Sequence, residues 1–372
     1  RQFPTASLAY TGILVWDAPP PSAGTNLSLI PYVAGGLTQD PAGSEAAPTL
    51  RAGGDAKYSI TSSLNLDMTV NPDFSQVEVD RQVTNLSRFE LFFPERRQFF
   101  LENSDLFDNL GYAQVRPFFS RRIGLNSPIL YGLRVSGKPD RNWRVGLMNM
   151  QTRAVDSTGI PAQNFSVAAI QRQLFARSSI TAFMVNRESL PHEPQPGEPE
   201  YSAFNRVAGL EYNLASSNNI WTGKALFSKS FSPGNLSGAW VHAAGLAYNR
   251  RRVQLAWQHE YVGPGYRAEV GFVPRNDYFK VSPTANFLFF PGSEKLVNHG
   301  PSAGATLYLD RNLRDIENET YFSWNANWRN QSRATIWIAH DYVFLQKPFD
   351  PTNTGGDTLA RNTDYRWNAW GT

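Results

Sequence analysis

The sequence predicts an all-β fold: an antiparallel transmembrane β-barrel of roughly sixteen to eighteen strands, with an inserted segment that plugs its lumen or periplasmic mouth. Three observations lead there. Apolar and polar residues alternate with period two along much of the chain, the alternating stretches are long, and the connections between them partly alternate short and long.

Alternation is plainest at residues 63–71, SLNLDMTVN. Leu64, Leu66, Met68 and Val70 share one face, with Asn65, Asp67, Thr69 and Asn71 on the other. Just before it, Ala56, Tyr58 and Ile60 alternate with Lys57, Ser59 and Thr61, and a tight hairpin at Thr61–Ser63 joins the two segments. Tyr131, Leu133 and Val135 alternate with Gly132, Arg134 and Ser136. Trp221, Gly223, Ala225 and Phe227 alternate with Thr222, Lys224 and Ser228, with Leu226 an exception. Val253, Leu255, Trp257 and Tyr261 oppose Gln254, Gln258 and Glu260. Tyr266, Ala268, Val270 and Phe272 oppose Arg267 and Glu269, and Phe322, Trp324, Ala326 and Trp328 oppose Ser323, Asn325, Asn327 and Arg329. Residues 164–174 and 178–187 alternate poorly, with Arg172 on the wrong parity. VSPTANFLFF (281–290) reads as a buried strand or one bent at Pro283.

A soluble sandwich and a membrane barrel give the same alternation within one strand, because the polar face meets solvent in one and a wet lumen in the other. Length favours the barrel. Segments near 204–214, 219–230, 238–249 and 252–262 approach the ~9–11 residues of a tilted membrane strand, against ~5–6 in globular proteins. Short turns at 138–142, 176–179, 215–219 and 249–252 separate longer loops at 151–163, 188–202 and 230–237, and helices to cover a sheet face are scarce.

Composition agrees without deciding. Mean hydropathy is −0.40, with 41% hydrophobic and 18% charged residues, as in a soluble protein; a barrel gives the same average because only alternate residues face lipid. The 13% aromatic content would furnish interfacial girdles, or equally an aromatic-rich soluble sandwich. With no cysteine, disulfides and thiolate metal sites are excluded. His192, His242, His259, His299 and His340 are scattered and form no zincin pattern. A net charge of +3, dispersed along the chain, gives no nucleic-acid reading. No run of ~18 apolar residues offers a membrane helix. The opening RQFPTASLAY has no signal-peptide pattern, so such a leader is expected to be removed or to lie outside this sequence.

The expected organisation is a Pro/Gly-rich segment at 1–50 with one candidate strand (26–33), then the barrel at 51–372, including a plug-like stretch at 71–125. Residues 189–202 and 346–364 have loop composition. The final TDYRWNAWGT reads as the start of a further strand, so the expectation is a barrel truncated at its C-terminal end.

Residues 71–107 break the pattern: NPDFSQVEVDRQVTNLSRFELFFPERRQFFLENSDLF, followed by FFSRRIG at 118–124. The candidate functional residues lie here: Asp73, Glu78, Asp80, Arg81, Arg88, Glu95, Arg96, Arg97, Glu102, Arg121 and Arg122, among Phe89, Phe92, Phe93, Phe99 and Phe100. Pro94 is expected to open a short helix, with Glu95 favourable near its N-terminus. Unpaired charges are costly in hydrocarbon, so the segment is expected inside the lumen or at its periplasmic mouth. It reads either as a plug held by Arg–carboxylate pairs or as a ligand or catalytic surface; the sequence fixes no carboxylate separation, which glycoside chemistry would require.

The stretch NPDFSQVEVD…NLSRFELFFPERRQFFLENSDLF with FFSRRIG resembles the signature of a widespread bacterial family that has a domain of unknown function. The resemblance is dense over 54–135 and looser elsewhere. It implies an outer-membrane β-barrel, usually fused to an N-terminal carbohydrate-binding family-9-like domain, which is expected to be absent from these residues. The expected function is an outer-membrane channel or membrane platform linked to glycan binding or uptake, with outer-membrane lipid and a carbohydrate ligand as partners and no cofactor. Some family members resemble membrane-associated hydrolases acting on glycan or lipid, which is the alternative. No GxSxG elbow or paired serine and histidine supports it here. A soluble sandwich or propeller with a binding role is the third reading.

Overall fold

The structure is a computed structural model, and it describes residues 15–18, 26–38, 47–74, 80–191, 201–234 and 237–372. The fold is all-β. The described strands are β1 (Leu27–Thr38), β2 (Ala47–Thr61), β3 (Leu64–Val70), β4 (Ile129–Gly137), β5 (Trp143–Thr152), β6 (Gln163–Leu174), β7 (Ser178–Ser189), β8 (Phe204–Ala215) and β9 (Trp221–Phe231). They continue as β10 (Trp240–Asn249), β11 (Val253–Val262), β12 (Tyr278–Val281), β13 (Thr284–Phe287), β14 (Leu296–Leu309), β15 (Asp315–Trp328), β16 (Arg333–Phe344) and β17 (Asp364–Gly371). Two single-turn helices, α1 (Gln98–Leu101) and α2 (Asp105–Asp108), lie in the long connection between β3 and β4.

Except between β12 and β13, each strand pairs antiparallel with the next along the chain, so the strands form one large meandering sheet. β12 and β13 occupy one position, both lying between β11 and β14, with the break at Ser282–Pro283. Proline has no N–H for the ladder, so the expected bend at Pro283 is where the strand parts. β1 and β17 share no ladder among the described residues. β1 pairs with β2 along its length, and β2 begins at Ala47, so the sheet runs through the expected boundary at residue 50.

The stretch Tyr266–Phe272 corrects the sequence reading. Its alternation predicted a strand, yet residues 263–277 form a connection between β11 and β12. Tyr266, Val270 and Phe272 are buried, and Phe272 bridges Arg116 of the β3–β4 connection. The alternation is genuine, but the apolar parity packs on the insertion instead of joining the ladder.

The sheet curves around the β3–β4 insertion. Glu102 of the insertion meets Lys57 on β2, while Arg88 meets Glu317 on β15. In a flat sheet those two strands would stand ~58 Å apart at ~4.8 Å per ladder step. The backbone from Arg88 to Glu102 could reach ~48 Å only if fully extended, and it contains α1 and a compact turn at Glu95–Arg97.

Curvature gives the sheet two unlike faces. The inward face carries buried polar groups such as Asp67, Arg134, Thr181, Glu211, Ser228 and Glu260. It also holds the hydrophobic core, in which Phe107, Leu110 and Val115 of the insertion pack with Met148, Phe165, Val185, Val207 and Val241 of the wall. This explains the weak alternation of 164–174 and 178–187. Their inward residues Phe165, Val167, Phe183 and Val185 meet an apolar insertion, so they are hydrophobic alongside outward Ala168, Ile170, Ala182 and Met184. Leu226, the exception in its strand, is inward and buried for the same reason.

The outward face is apolar and exposed from strand to strand: Leu133, Leu147, Ile170, Met184, Leu210, Phe227, Leu246, Trp257, Phe287, Trp324 and Ile336. Aromatic clusters flank it. Near the short turns, Trp221 meets Tyr248, and Phe289 and His299 stack with Trp324. Near the long connections, Trp240 contacts Phe227 and Tyr261, and His259 contacts Phe279. From Trp240 to Tyr248 along β10 is ~26 Å at ~3.3 Å per residue.

The close fit of insertion to wall can be tested at Gly146, where an added β-carbon would lie 2.6 Å from the Phe107 ring and 3.1 Å from Leu106. We expect Gly146→Leu to destabilise the docked insertion by ~1–3 kcal/mol through overpacking. Limited proteolysis should then cut within 85–125 while far-ultraviolet circular dichroism keeps its β signature; protection equal to wild type would contradict this packing.

Candidate functional site

The insertion turns inward at Asn71, whose φ of 48° is left-handed. Asparagine tolerates that region because its side chain bonds locally. Here its amide nitrogen donates to the Ala52 carbonyl at 2.6 Å, and Tyr32 donates to the Asn71 carbonyl at 3.1 Å. The chain leaves the sheet edge at that point and folds into its concave side.

Glu95 is the organising carboxylate. The Arg97 side chain donates to it twice, at 2.9 and 2.7 Å, Ser120 donates at 2.6 Å, and the backbone N–H groups of Arg96 and Arg97 donate at 2.9 Å each. Burial alone would push its carboxyl up, but Arg97 and the other donors outweigh that and hold it below its usual range. The helix expected at Pro94 begins instead at Gln98, because Glu95 folds back to take these donors ahead of the first helical turn. Arg97 also donates to the carbonyls of Ile123 and Ser120, at 2.7 Å each, and its guanidinium lies 4.2 Å from the Phe100 ring centre. One side chain thus ties the start of the insertion to its end.

The other candidates separate into pairs. Asp80 is gripped by both terminal nitrogens of Arg121 and lies 3.3 Å from Arg96, and the Arg121 bonds hold its carboxyl low. Arg122 meets Glu90 at 2.6 Å, Arg88 meets Glu317, and Glu102 meets Lys57, both at 2.6 Å. Asp73 is 3.8 Å from Arg51. Arg81 is exposed, and Glu78 lies outside the described residues.

Sequence reading missed the wall residues that answer these charges. Buried Arg134 on β4, 2% exposed, donates to Asp67 on β3 at 2.8 and 3.1 Å and to the Phe99 carbonyl of α1. Arg144 on β5 meets Asp105 of α2 at 2.7 Å. Glu211 on β8 accepts the Gly111 N–H at 2.7 Å, and Lys224 on β9 donates to the carbonyls of Asn109 and Gly111 at 2.5 and 2.6 Å. The available signal was parity for Arg134 and Lys224, which sit on the polar side of plainly alternating strands; Arg144 and Glu211 gave none, because they share their inward faces with Met148 and Met150 and with Val207.

Between the insertion and the wall of β1 and β2 lies a polar cavity of about 520 Å³. Asp73, Glu95 and Arg96 line it, joined by Tyr32, Asp55, Phe74, Gln98 and Phe99. The structure therefore gathers three of the eleven sequence candidates at one opening and commits most of the others to holding the insertion in place.

The family model described as "Domain of unknown function (DUF5916)" matches residues 23–371. The chain belongs to this family. The match takes in the whole described sheet and the insertion, so the domain of unknown function is the curved sheet together with its filling. No curated protein matches the sequence. Among solved structures the chain is similar to OmpT (in-vitro folded), an outer membrane protein of Vibrio cholerae, at 10% identity and a TM-score of 0.26, over 92% of this chain and 94% of that one.

Two tests follow from the ion pairs. Arg134→Ala leaves the buried Asp67 with only the longer contact to Lys57 at 3.8 Å, and the expected loss is ~3 kcal/mol. The double change Arg134→Met with Asp67→Leu should recover much of it; urea unfolding in detergent, followed by tryptophan fluorescence, measures both. The second test uses pH. Asp80, Glu95, Glu102 and Asp105 all have lowered carboxyls, each held by a cationic partner. Their stabilisation is complete above the unfolded-chain values of ~4 and is lost as pH falls below them. Asp108 opposes this: burial, with Glu95 and Asp105 nearby, pushes it up, so its destabilising effect at neutral pH is relieved by acid. Hydrogen exchange of residues 80–125, corrected for intrinsic rates, should stay slow from pH 8 to 5 and accelerate below pH ~4. A transition centred near pH 6 would contradict the assignment.

Proposed function

We propose that the chain is an outer-membrane β-barrel whose sheet closes on itself, with the β3–β4 insertion as a resident plug, and that it serves as a membrane platform with a glycan-binding cavity. The observation that carries this reading is the inverted polarity of the sheet. Charged Arg134, Glu211 and Glu260 are buried inside, while a continuous band of Leu, Ile, Phe and Trp side chains faces out. Soluble monomers rarely expose more than a few hundred Å² of contiguous apolar surface, whereas an outward apolar band ~25 Å tall between aromatic girdles is what a lipid bilayer accommodates.

The filled interior favours a platform over an open pore. The insertion packs on walls from β2 to β15, and its polar groups are tied to Lys57, Arg134, Arg144, Glu211, Lys224 and Glu317. For a ligand, the cavity beside Tyr32 has the volume of a small-molecule site and mixes aromatic rings with carboxylate and amide groups, which suits the apolar faces and hydroxyls of a sugar. The hydrolase alternative gains nothing from the geometry: Asp80, Glu95 and Glu102 are each committed to cationic side chains, and a carboxylate held at low pKa is a weak base.

A closed barrel resists detergent, so unheated protein should run at a different position from boiled protein on a detergent gel; identical mobility would end the barrel reading. In planar bilayers the intact protein should conduct little, and removal of residues 85–107 should open steady conductance. Full conductance by the intact chain would remove the plug role.

A further inference from the structure

The outward face of the sheet carries one polar patch, on β5 to β8 near the long connections. The ladder register sets Asn149 opposite Ser166, Ser166 opposite Asn186, and Asn186 opposite Arg206, so one rung of the wall presents hydrogen-bonding groups on four successive strands. These side chains have the parity of the exposed Leu147, Ile170, Met184 and Leu210 and share the outward face with them. Gln151 and Asn164, opposite one another on the next rung toward the long connections, extend the patch. Asn149 donates to Asn164 and Ser166 at 2.9 Å each, Asn164 donates to Gln151 at 3.1 Å, and the Arg206 Nε donates to Asn186 at 3.0 Å.

On the short-turn side of this row the next rung is Leu147, Ala168, Met184 and Ala208. Ala168 stands between two long side chains, and the wall is hollowed there. A groove of about 520 Å³ is lined on this rung by Leu147, Ala168 and Met184, and on the polar rung by Asn149, Asn186 and Arg206.

The polar row stands at the level of the aromatic cluster near the long connections. Arg206 is opposite Phe231, and Lys229, on the same outward parity, lies between Ala208 and Trp240 in the ladder. The Arg206 guanidinium is 4.5 Å from the Phe204 ring centre, and the Lys229 ammonium is 5.3 Å from that of Phe231. Cations drawn over outward aromatic rings keep their apolar stems among lipid chains and their charges at headgroup level. Neither cation makes an ion pair among the described residues, and neither does Glu188, the carboxylate one rung nearer the long connections.

Two cations without a carboxylate partner suit a phosphate. The row of amide and hydroxyl groups from β5 to β8 is ~14 Å wide at ~4.8 Å per ladder step. That is broader than a lone phosphate requires, and it suits a headgroup that carries hydroxyls beside its phosphate. We propose that this outward site binds a phosphorylated glycolipid of the leaflet beside the long connections. Its phosphate meets Arg206 and Lys229, its sugar hydroxyls meet Asn149, Ser166 and Asn186, and one acyl chain lies in the groove over Ala168. The site rests on the membrane reading given above, and it is separate from the cavity beside Tyr32, which lies on the concave side of the wall.

The intact protein in detergent is titrated with lipid A (a phosphorylated, acylated glucosamine disaccharide), phosphatidylglycerol or phosphatidylcholine, and retained lipid is counted by native mass spectrometry. Wild type should retain lipid A over phosphatidylglycerol, and phosphatidylcholine least. Arg206→Gln and Lys229→Gln should each weaken lipid A binding about fivefold, the equivalent of ~1 kcal/mol per cation. Ala168→Phe fills the groove without touching a charge and should lower lipid A retention by a similar factor. Each variant is first checked for the gel shift of the barrel, and Ala168→Leu takes over if Ala168→Phe does not fold. Equal retention of lipid A and phosphatidylcholine by wild type overturns the proposal while leaving a shifted gel band, and hence the barrel, in place. Phosphatidylglycerol retained as well as lipid A also overturns it, in favour of a headgroup without sugars. Lipid A retention unchanged in both cation variants and in the groove variant removes the site.

Discussion

The fold depends on one constraint: every charge on the concave face of the sheet must find a partner there. Arg134 is the clearest case. A guanidinium removed from water is tolerable only when its donors are satisfied, and Asp67 and the Phe99 carbonyl do so from two different parts of the chain. The same requirement links Lys57 to Glu102, Arg144 to Asp105, Glu211 to the Gly111 N–H and Glu317 to Arg88. Because these wall residues span β2 to β15, satisfying them fixes where the insertion sits and obliges the sheet to curve around it.

Inside the insertion the same logic operates at shorter range. Glu95, Arg97 and Ser120 form a knot that joins residues far apart in sequence, while Asp80 is shared by Arg96 and Arg121. The insertion's described residues hold two α-helical turns and one 3-10 turn at Ser120–Arg122, so it gains little from regular backbone hydrogen bonding. Charge pairing and a small apolar core of Phe107, Leu110, Val115 and Ile123 replace it. The connection at 263–277 completes this packing: Tyr266 and Val270 enter the core, Arg122 donates to the Gly271 carbonyl, and Arg187 of β7 meets Glu269 at 2.5 Å.

Much of the candidate site was legible as composition and little of it as geometry. The density of Arg, Asp, Glu and Phe in 71–125 marked the segment as one that does not pair as a strand, and Arg–carboxylate pairing was the natural way to hold it. Which arginine meets which carboxylate was not readable. Arg88 finds Glu317, 229 residues away, whereas Arg97 finds Glu95 only two residues away. The polar cavity was beyond reach for the same reason: Tyr32 and Asp55 join Asp73 and Glu95 only because β1 and β2 stand beside the insertion.

The sequence by itself determined the strand elements, the faces of most of them, and the position of the insertion. Period-two alternation is local, since successive side chains on an extended backbone point to opposite sides whatever lies beyond them. Tertiary structure alone decided what each face meets. It turned the alternating Tyr266–Phe272 into a packed connection and made the inward side of β6 and β7 apolar where the insertion touches it. Those outcomes follow from curvature, which brings distant strands to one interior and is set by long-range pairing that no window of sequence contains.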